Sequence, residues 1–118
     1  MPALEAWTTG VGALEAAVDV SIERGKRTLF LIATGGNTIN GVFDPIANIG
    51  AIDRTANVWF HMRACWGGAA AVSDNLRHPN KGSELADSIA FNPSKNVECA
   101  TRVCLRASKR TVGLLAGR

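Results

Sequence analysis

GGNTINGVFDP, residues 35–45, separates two apolar runs of strand length, TLFLIAT (28–34) and NVWFHM (57–62). An apolar run of this length bounded by turn residues reads as a strand, and its unbroken apolarity predicts burial on both faces. Asp44 followed by Pro45 reads as a helix N-cap with proline in the first helical position. Ile46, Ile49 and Ile52 then recur at helical spacing. Strand, loop, helix and strand in this order form a βαβ unit, which favours parallel pairing with a right-handed crossover.

Outward from this unit the pattern repeats. Upstream, Leu14, Ala17, Val18 and Ile22 alternate with Glu15, Asp19 and Glu23, which predicts a helix over Leu14–Arg24 closed by Gly25 in the C′ position. Downstream, Gly67 and Gly68 break the chain, and Ser73–Ser83 is polar, reading as loop with a short helix. DSIAF (87–91) is a third strand, Asn92–Lys95 a turn, residues 100–106 a fourth strand, and Ser108 opens a last helix. The fold class is α/β, a partial and mostly parallel sheet with flanking helices. Ligands of such sheets bind at the carboxyl ends of the strands. The loops at 35–41, 63–68 and 92–95 all follow strands and are expected at one edge.

Composition bounds the alternatives. The chain has 118 residues, 47% of them hydrophobic, which suits one small domain over residues 1–118 and excludes a wholly disordered chain. No apolar run is long enough to span a membrane, and the first residues lack a basic signal region. Cys65, Cys99 and Cys104 are odd in number and form no CxxC pair, so a reduced, cytoplasmic chain is expected. Residues 1–94 carry seven Lys/Arg against nine Asp/Glu, whereas 95–118 carry six against one. The basic tail reads as a solvated face. It holds no aromatic residue on which bases could stack, which argues against a nucleic-acid partner.

Several side chains could carry chemistry. Lys95, just after a strand and a proline turn, is of the type that condenses with a carbonyl to a Schiff base, although most loop lysines are merely solvated. His61 ends an apolar strand and reads as a ledge histidine or as a ring at a site. Cys65 reads as a small buried hydrophobe or a nucleophile. His61, Cys65 and His78 lack metal-ligand spacing, so no metal is expected. The loop GGNTING matches neither common phosphate-loop pattern, yet its glycines let backbone approach a ligand, and Thr34 and Thr38 offer hydroxyls.

Together these pieces become specific. ATGGNTINGVFDPIANIGAI (33–52), VWFHMRACWGG (58–68) and LADSIAFNPSK (85–95) resemble, in order and spacing, the core of the pyridoxal-phosphate-dependent group II amino-acid decarboxylases. Those enzymes carry runs of the form GTT…DP, HVDA…GG and RADS…NPHK. The resemblance covers residues 30–95, with 28–95 the motif-bearing core and 96–118 only loosely alignable. It implies part of the large domain of the aspartate-aminotransferase type (fold type I). It also implies that Lys95 holds pyridoxal phosphate as a Schiff base, and that Thr38 lies at the ring edge with Cys65 packed under the ring. Asn92 falls on the phosphate side. Ser94 stands where the family has the histidine of NPHK, His61 matches the histidine of HVDA, and Gly67 and Gly68 match the glycines that follow.

Arg63 replaces the aspartate of HVDA. That aspartate keeps the pyridine nitrogen protonated, so that the ring can draw electrons from the carbanion left by CO₂. An arginine accepts no hydrogen bond and cannot be deprotonated in proteins. Two like unit charges about 4 Å apart repel by about 4 kcal/mol at an effective dielectric near 20, so Arg63 disfavours the pyridinium. Asn37 replaces the first threonine of GTT. The resemblance therefore implies a decarboxylase (carboxy-lyase) acting on an amino acid. The alternative is a catalytically inactive, truncated or degenerate remnant serving as a protein-interaction or structural module. A partial sheet with open edges and faces also predicts self-association or a homo-oligomer.

Overall fold

The computed structural model describes residues 7–95 and 105–108. Helix α1 (Val11–Glu23) is followed by strand β1 (Phe30–Thr34), helix α2 (Ile46–Ala56) and strand β2 (Trp59–Arg63). Short 3₁₀ turns at Gly67–Val72, His78–Asn80 and Ser83–Leu85 lead to strand β3 (Ser88–Phe91), and another, Pro93–Lys95, follows it. Strand β4 (Leu105–Ser108) completes a sheet of order β1-β2-β3-β4. The first three strands are parallel and β4 is antiparallel to β3. The parallel α/β expectation holds for the βαβ unit of β1, α2 and β2. Of the expected fourth strand, residues 100–104 lie outside the described residues, as does the helix expected after Ser108.

Helix α1 ends as its glycine predicted. Gly25 has φ +67°, its N–H donates to Ile22 O at 2.9 Å, and the Lys26 N–H donates to Ser21 O at 2.8 Å. These are the paired bonds of a Schellman motif. Helix α2 starts differently from expectation. It begins at Ile46, and Asp44 gives its first turn no side-chain cap. The Asp44 carboxylate instead accepts from Thr9 N–H and Thr34 N–H, both at 2.7 Å, while the Asp44 N–H donates to Thr34 O at 2.9 Å. The side chain thus ties the end of β1 to the segment before α1, and a group committed to those amides cannot also cap a helix.

The core lies on one side of the sheet. Leu31 and Ala33 of β1, Phe60 and Met62 of β2, Ile46, Ile49 and Ile52 of α2, and Leu14 and Val18 of α1 form one buried cluster. The other face is open, with Phe30 46% and Ile32 54% exposed. This corrects the expectation that the apolar runs are covered on both faces; β1 and β2 alternate buried and accessible positions. Topology supplies the reason. Right-handed crossovers between successive neighbours, laid down in one direction, fall on the same face of the sheet.

Part of the open face is covered by its own side chains. The Trp59 Nε1–H donates to Ser88 Oγ at 2.9 Å, and His61 Nδ1 lies 2.7 Å from the same oxygen. The His61 ring stacks on Phe30 with centroids 5.7 Å apart. Ser88 is thereby 1% exposed although it points away from the core helices. His61 is a strand residue that braces β2 against β3.

Asp44→Ala is expected to lower the unfolding free energy by about 1–3 kcal/mol, because two partly buried amides lose their acceptor. Asp74→Ala, which breaks the exposed ion pair with Arg77 at 3.2 Å, is expected to change it by less than about 1 kcal/mol. Urea unfolding of the two variants checks the contrast; equal midpoints would refute the clamp.

Candidate functional site

Parallel strands that begin together also end together. Thr34 is the register partner of Arg63, and Arg63 is paired in turn with Ala90. The chain leaves all three strands at the same edge. There Gly35 N–H donates to Arg63 O, and Ala64 N–H to Ala90 O, both at 2.9 Å, so the ladder continues into the turns.

The first two turns meet backbone to backbone. Gly67 N–H donates to Gly35 O at 3.1 Å. A Cβ on Gly67 would lie 2.5 Å from Gly35 O and 2.5 Å from the Phe43 ring; one on Gly36, at φ +78°, would lie 2.7 Å from Gly67 Cα. Only glycine allows that approach. Asn37 then fixes the loop beyond, its side-chain oxygen accepting from Ile39 N–H at 2.8 Å and Asn40 N–H at 2.9 Å. Residues 35–41 are therefore a built turn rather than a loose connection.

The result is a cleft of about 270 Å³ at the carboxyl edge of the sheet. Thr34, Gly36, Asn37 and Thr38 line it from the first turn, Arg63, Cys65 and Trp66 from the second, and Lys95 from the third. The three loops expected to converge do so. Of the residues singled out from the sequence, Lys95, Thr38, Cys65 and Arg63 share this one cleft. Asn92 and Ser94 act in the turn that presents Lys95. Asn92 Oδ1 accepts from Ser94 N–H at 3.1 Å and from Ser94 Oγ–H at 2.7 Å, and Lys95 N–H donates to Asn92 O at 3.3 Å. His61 braces the sheet, and Gly67 forms the floor contact.

Among the described residues the charges that line the cleft are of one sign: Arg63 and Lys95, both exposed, with no carboxylate beside them. Both residues can donate hydrogen bonds and neither can accept one when charged. The hydroxyls of Thr34 and Thr38 and the amide of Asn37 add polar groups of either sense. Trp66 is the lining residue that the sequence reading missed. The signal that could have found it is its place in a turn that follows a strand. No group of three or more His, Cys, Asp or Glu that could hold a metal occurs among the described residues, and no helix among them is long and apolar enough to cross a membrane.

This geometry has counterparts. The profile of the pyridoxal-dependent decarboxylase conserved domain matches residues 2–112. A glutamate decarboxylase-like protein of Gibberella zeae is 52% identical over 95 residues, which is 80% of this chain and 18% of that protein. An L-aspartate decarboxylase of Metarhizium robertsii is 42% identical over 85 residues, 72% of this chain and 17% of that one. The crystal structure of mouse CSAD superposes with a TM-score of 0.80 at 33% identity, covering 88% of this chain and 22% of that structure. The chain thus spans about a fifth of the length of the relatives it matches. The partial sheet described above is part of the fold of these larger proteins.

Gly67→Ala is expected to force the first two turns apart and to cost about 1–3 kcal/mol of stability, as overpacking does. Gly12→Ala, in α1 with open space around it, is expected to gain up to about 1 kcal/mol from helix propensity. Unfolding midpoints for both variants measure the difference, and an unperturbed Gly67→Ala variant would show that the turns are not in contact.

Proposed function

The chain belongs to the pyridoxal-dependent decarboxylases, and we propose that it carries the cofactor-anchoring part of such an enzyme, with the amine of Lys95 as the point of covalent attachment. The single observation behind this is the convergence of Lys95, Thr38, Cys65 and Arg63 on one cleft at the carboxyl edge of the parallel strands. Pyridoxal phosphate is the cofactor that membership implies. The residues present suit holding it: an amine faces the cleft, and two cations with hydroxyl and amide groups complement a phosphorylated aldehyde. They do not suit activating it, since no carboxylate among the described residues lines the cleft.

Each side chain then has a task. Lys95 would hold the cofactor covalently through its side-chain amine, which must give up its proton to do so. Asn92 and Ser94 hold the turn so that this amine points into the cleft. Thr38 would offer its hydroxyl at the ring edge, and Cys65 would pack against the ring; both line the cleft. When bound, the cofactor would supply an electron sink for the bond to the departing carboxylate. The substrate of the whole protein is an amino acid, with an acidic side chain by similarity to the aspartate decarboxylase relative.

Arg63 favours a second reading for the chain as it stands. A guanidinium in the cleft cannot serve as the hydrogen-bond acceptor that a protonated ring nitrogen needs. On this reading the chain holds the cofactor without decarboxylating. Its open sheet face, with Phe30 and Ile32 exposed, then serves association with a further copy. Release of CO₂ from any amino acid by the purified chain would overturn this second reading.

Borohydride reduction in the presence of pyridoxal phosphate, followed by peptide mapping, tests the anchor. The expected adduct lies on Lys95 and disappears in Lys95→Ala. Labelling spread evenly over Lys26, Lys81 and Lys95 would defeat the proposal.

A further inference from the structure

The first wall of the cleft is a single loop with a narrow neck. Thr34, Gly36, Asn37 and Thr38 line the cleft from this loop, and Asp44, at its far end, is not one of the lining residues. Strand β1 pairs with β2, and Gly35 N–H continues that pairing by donating to Arg63 O. Backbone groups alternate in direction along a strand, so the N–H and C=O of Thr34 face away from β2 and need partners of their own. Asp44 supplies both. Its Oδ2 accepts from Thr34 N–H at 2.7 Å, and its own N–H donates to Thr34 O at 2.9 Å. Its Oδ1 accepts from Thr9 N–H at 2.7 Å. Beyond this neck the two arms of the loop stay paired, with Gly35 bridged to Phe43 and Asn37 N–H donating to Val42 O at 3.0 Å.

One bond at a neck is a hinge; two bonds to the N–H and C=O of the same residue fix the direction of the loop as well as its origin. Direction matters because the loop carries Thr38, whereas the Lys95 amine sits on a different turn, after β3. A molecule attached to one turn keeps a single orientation only while the other walls keep their places, and a displacement of about 1 Å spoils such a fit. We propose that Asp44 is the positioning residue of the cleft. Its two-point hold on Thr34 sets where Thr38 stands relative to the Lys95 amine, so that an aldehyde attached there is oriented as well as retained. Asp44 acts through Thr34 and the paired arms of the loop, from outside the cleft. The place calls for a carboxylate: asparagine brings one acceptor oxygen to two amides and turns an NH₂ group toward the second. The inference rests on the attachment at Lys95 proposed above.

Two signals separate orientation from attachment. Pyridoxal phosphate is achiral, so its visible circular dichroism in the bound state reports a ring held in one orientation. Borohydride trapping at Lys95 reports attachment alone. Both are measured on the full chain, on Asp44→Asn and Asp44→Glu, and on Val18→Ala, which removes buried side-chain atoms of α1 outside the cleft. The wild-type chain should give the adduct and the dichroism together. In Asp44→Asn, Lys95 should still be trapped, but the dichroism per adduct should fall by about half or more. The half-saturating concentration should rise about tenfold, as for loss of a charge-assisted hydrogen bond. Asp44→Glu, which keeps both oxygens one methylene further out, should recover part of the signal; if only one Asp44 variant folds, that variant decides. Val18→Ala should lower the urea midpoint and leave the dichroism per adduct unchanged, a split that a merely stabilising Asp44 would not produce. Wild-type dichroism per adduct in the Asp44 variants, or an equal loss in Val18→Ala, overturns the positioning role and leaves the attachment at Lys95 intact. Trapping at Lys95 in the wild type with no dichroism does the same. Absence of any adduct at Lys95 in the wild type overturns both.

Discussion

The last rung of the β1–β2 ladder, Thr34 opposite Arg63, is the constraint on which the rest depends. Parallel pairing sends both strands out at one edge, so the turns that follow must share that space. They can share it because Gly36 and Gly67 bring backbone against backbone, with Gly67 N–H bonded to Gly35 O. The β3 turn joins them through the next rung, Arg63 with Ala90, and delivers Lys95. The cleft is a consequence of strand direction and of two missing side chains, before any reactive group is considered.

The same direction of growth explains the uneven burial. Each new parallel strand is added on the same side of the last, so the connecting segments stack over one face. The core of Leu14, Val18, Ile46, Ile49 and Ile52 lies there, against Leu31, Ala33, Phe60 and Met62. On the other face Trp59, His61 and Ser88 hydrogen-bond among themselves, and Phe30 stacks on His61. That cluster shields a buried hydroxyl from water, with no helix among the described residues over it. Residue type alone could not have revealed this. Phe30 and Ile32 are as apolar as Leu31, and the sequence records hydrophobicity on both faces while topology decides which face is covered.

What the sequence disclosed follows from the range of each interaction. Helix α1 and its glycine stop were legible because capping acts over a few residues. Ile46, Ile49 and Ile52 were legible because helical periodicity is local. The convergence of Lys95, Thr38, Cys65 and Arg63 was legible because turns after parallel strands have a fixed destination. Asp44 was misread because its true partners, Thr9 and Thr34, are 35 and 10 residues away. A residue type good at capping is equally good at accepting from any pair of amides, and only the fold decides which pair it meets. Trp66 went unnoticed for a related reason: an indole beside a cysteine is uninformative until the turn containing it is placed against two others.

Position 63 separates two properties that the resemblance alone would treat as one. Holding a phosphorylated aldehyde needs an amine and positive charge, and the cleft has both in Lys95 and Arg63. Using that aldehyde's ring as an electron sink needs a negative partner at the ring nitrogen, and the cleft lining has none among the described residues. The two demands oppose each other electrostatically. At about 4 Å and an effective dielectric near 20, each added unit of positive charge changes the interaction with a ligand charge by about 4 kcal/mol, favourable for an anion and unfavourable for a pyridinium. An arginine at this rung would oppose a protonated ring nitrogen, the charge that the resemblance places beside it.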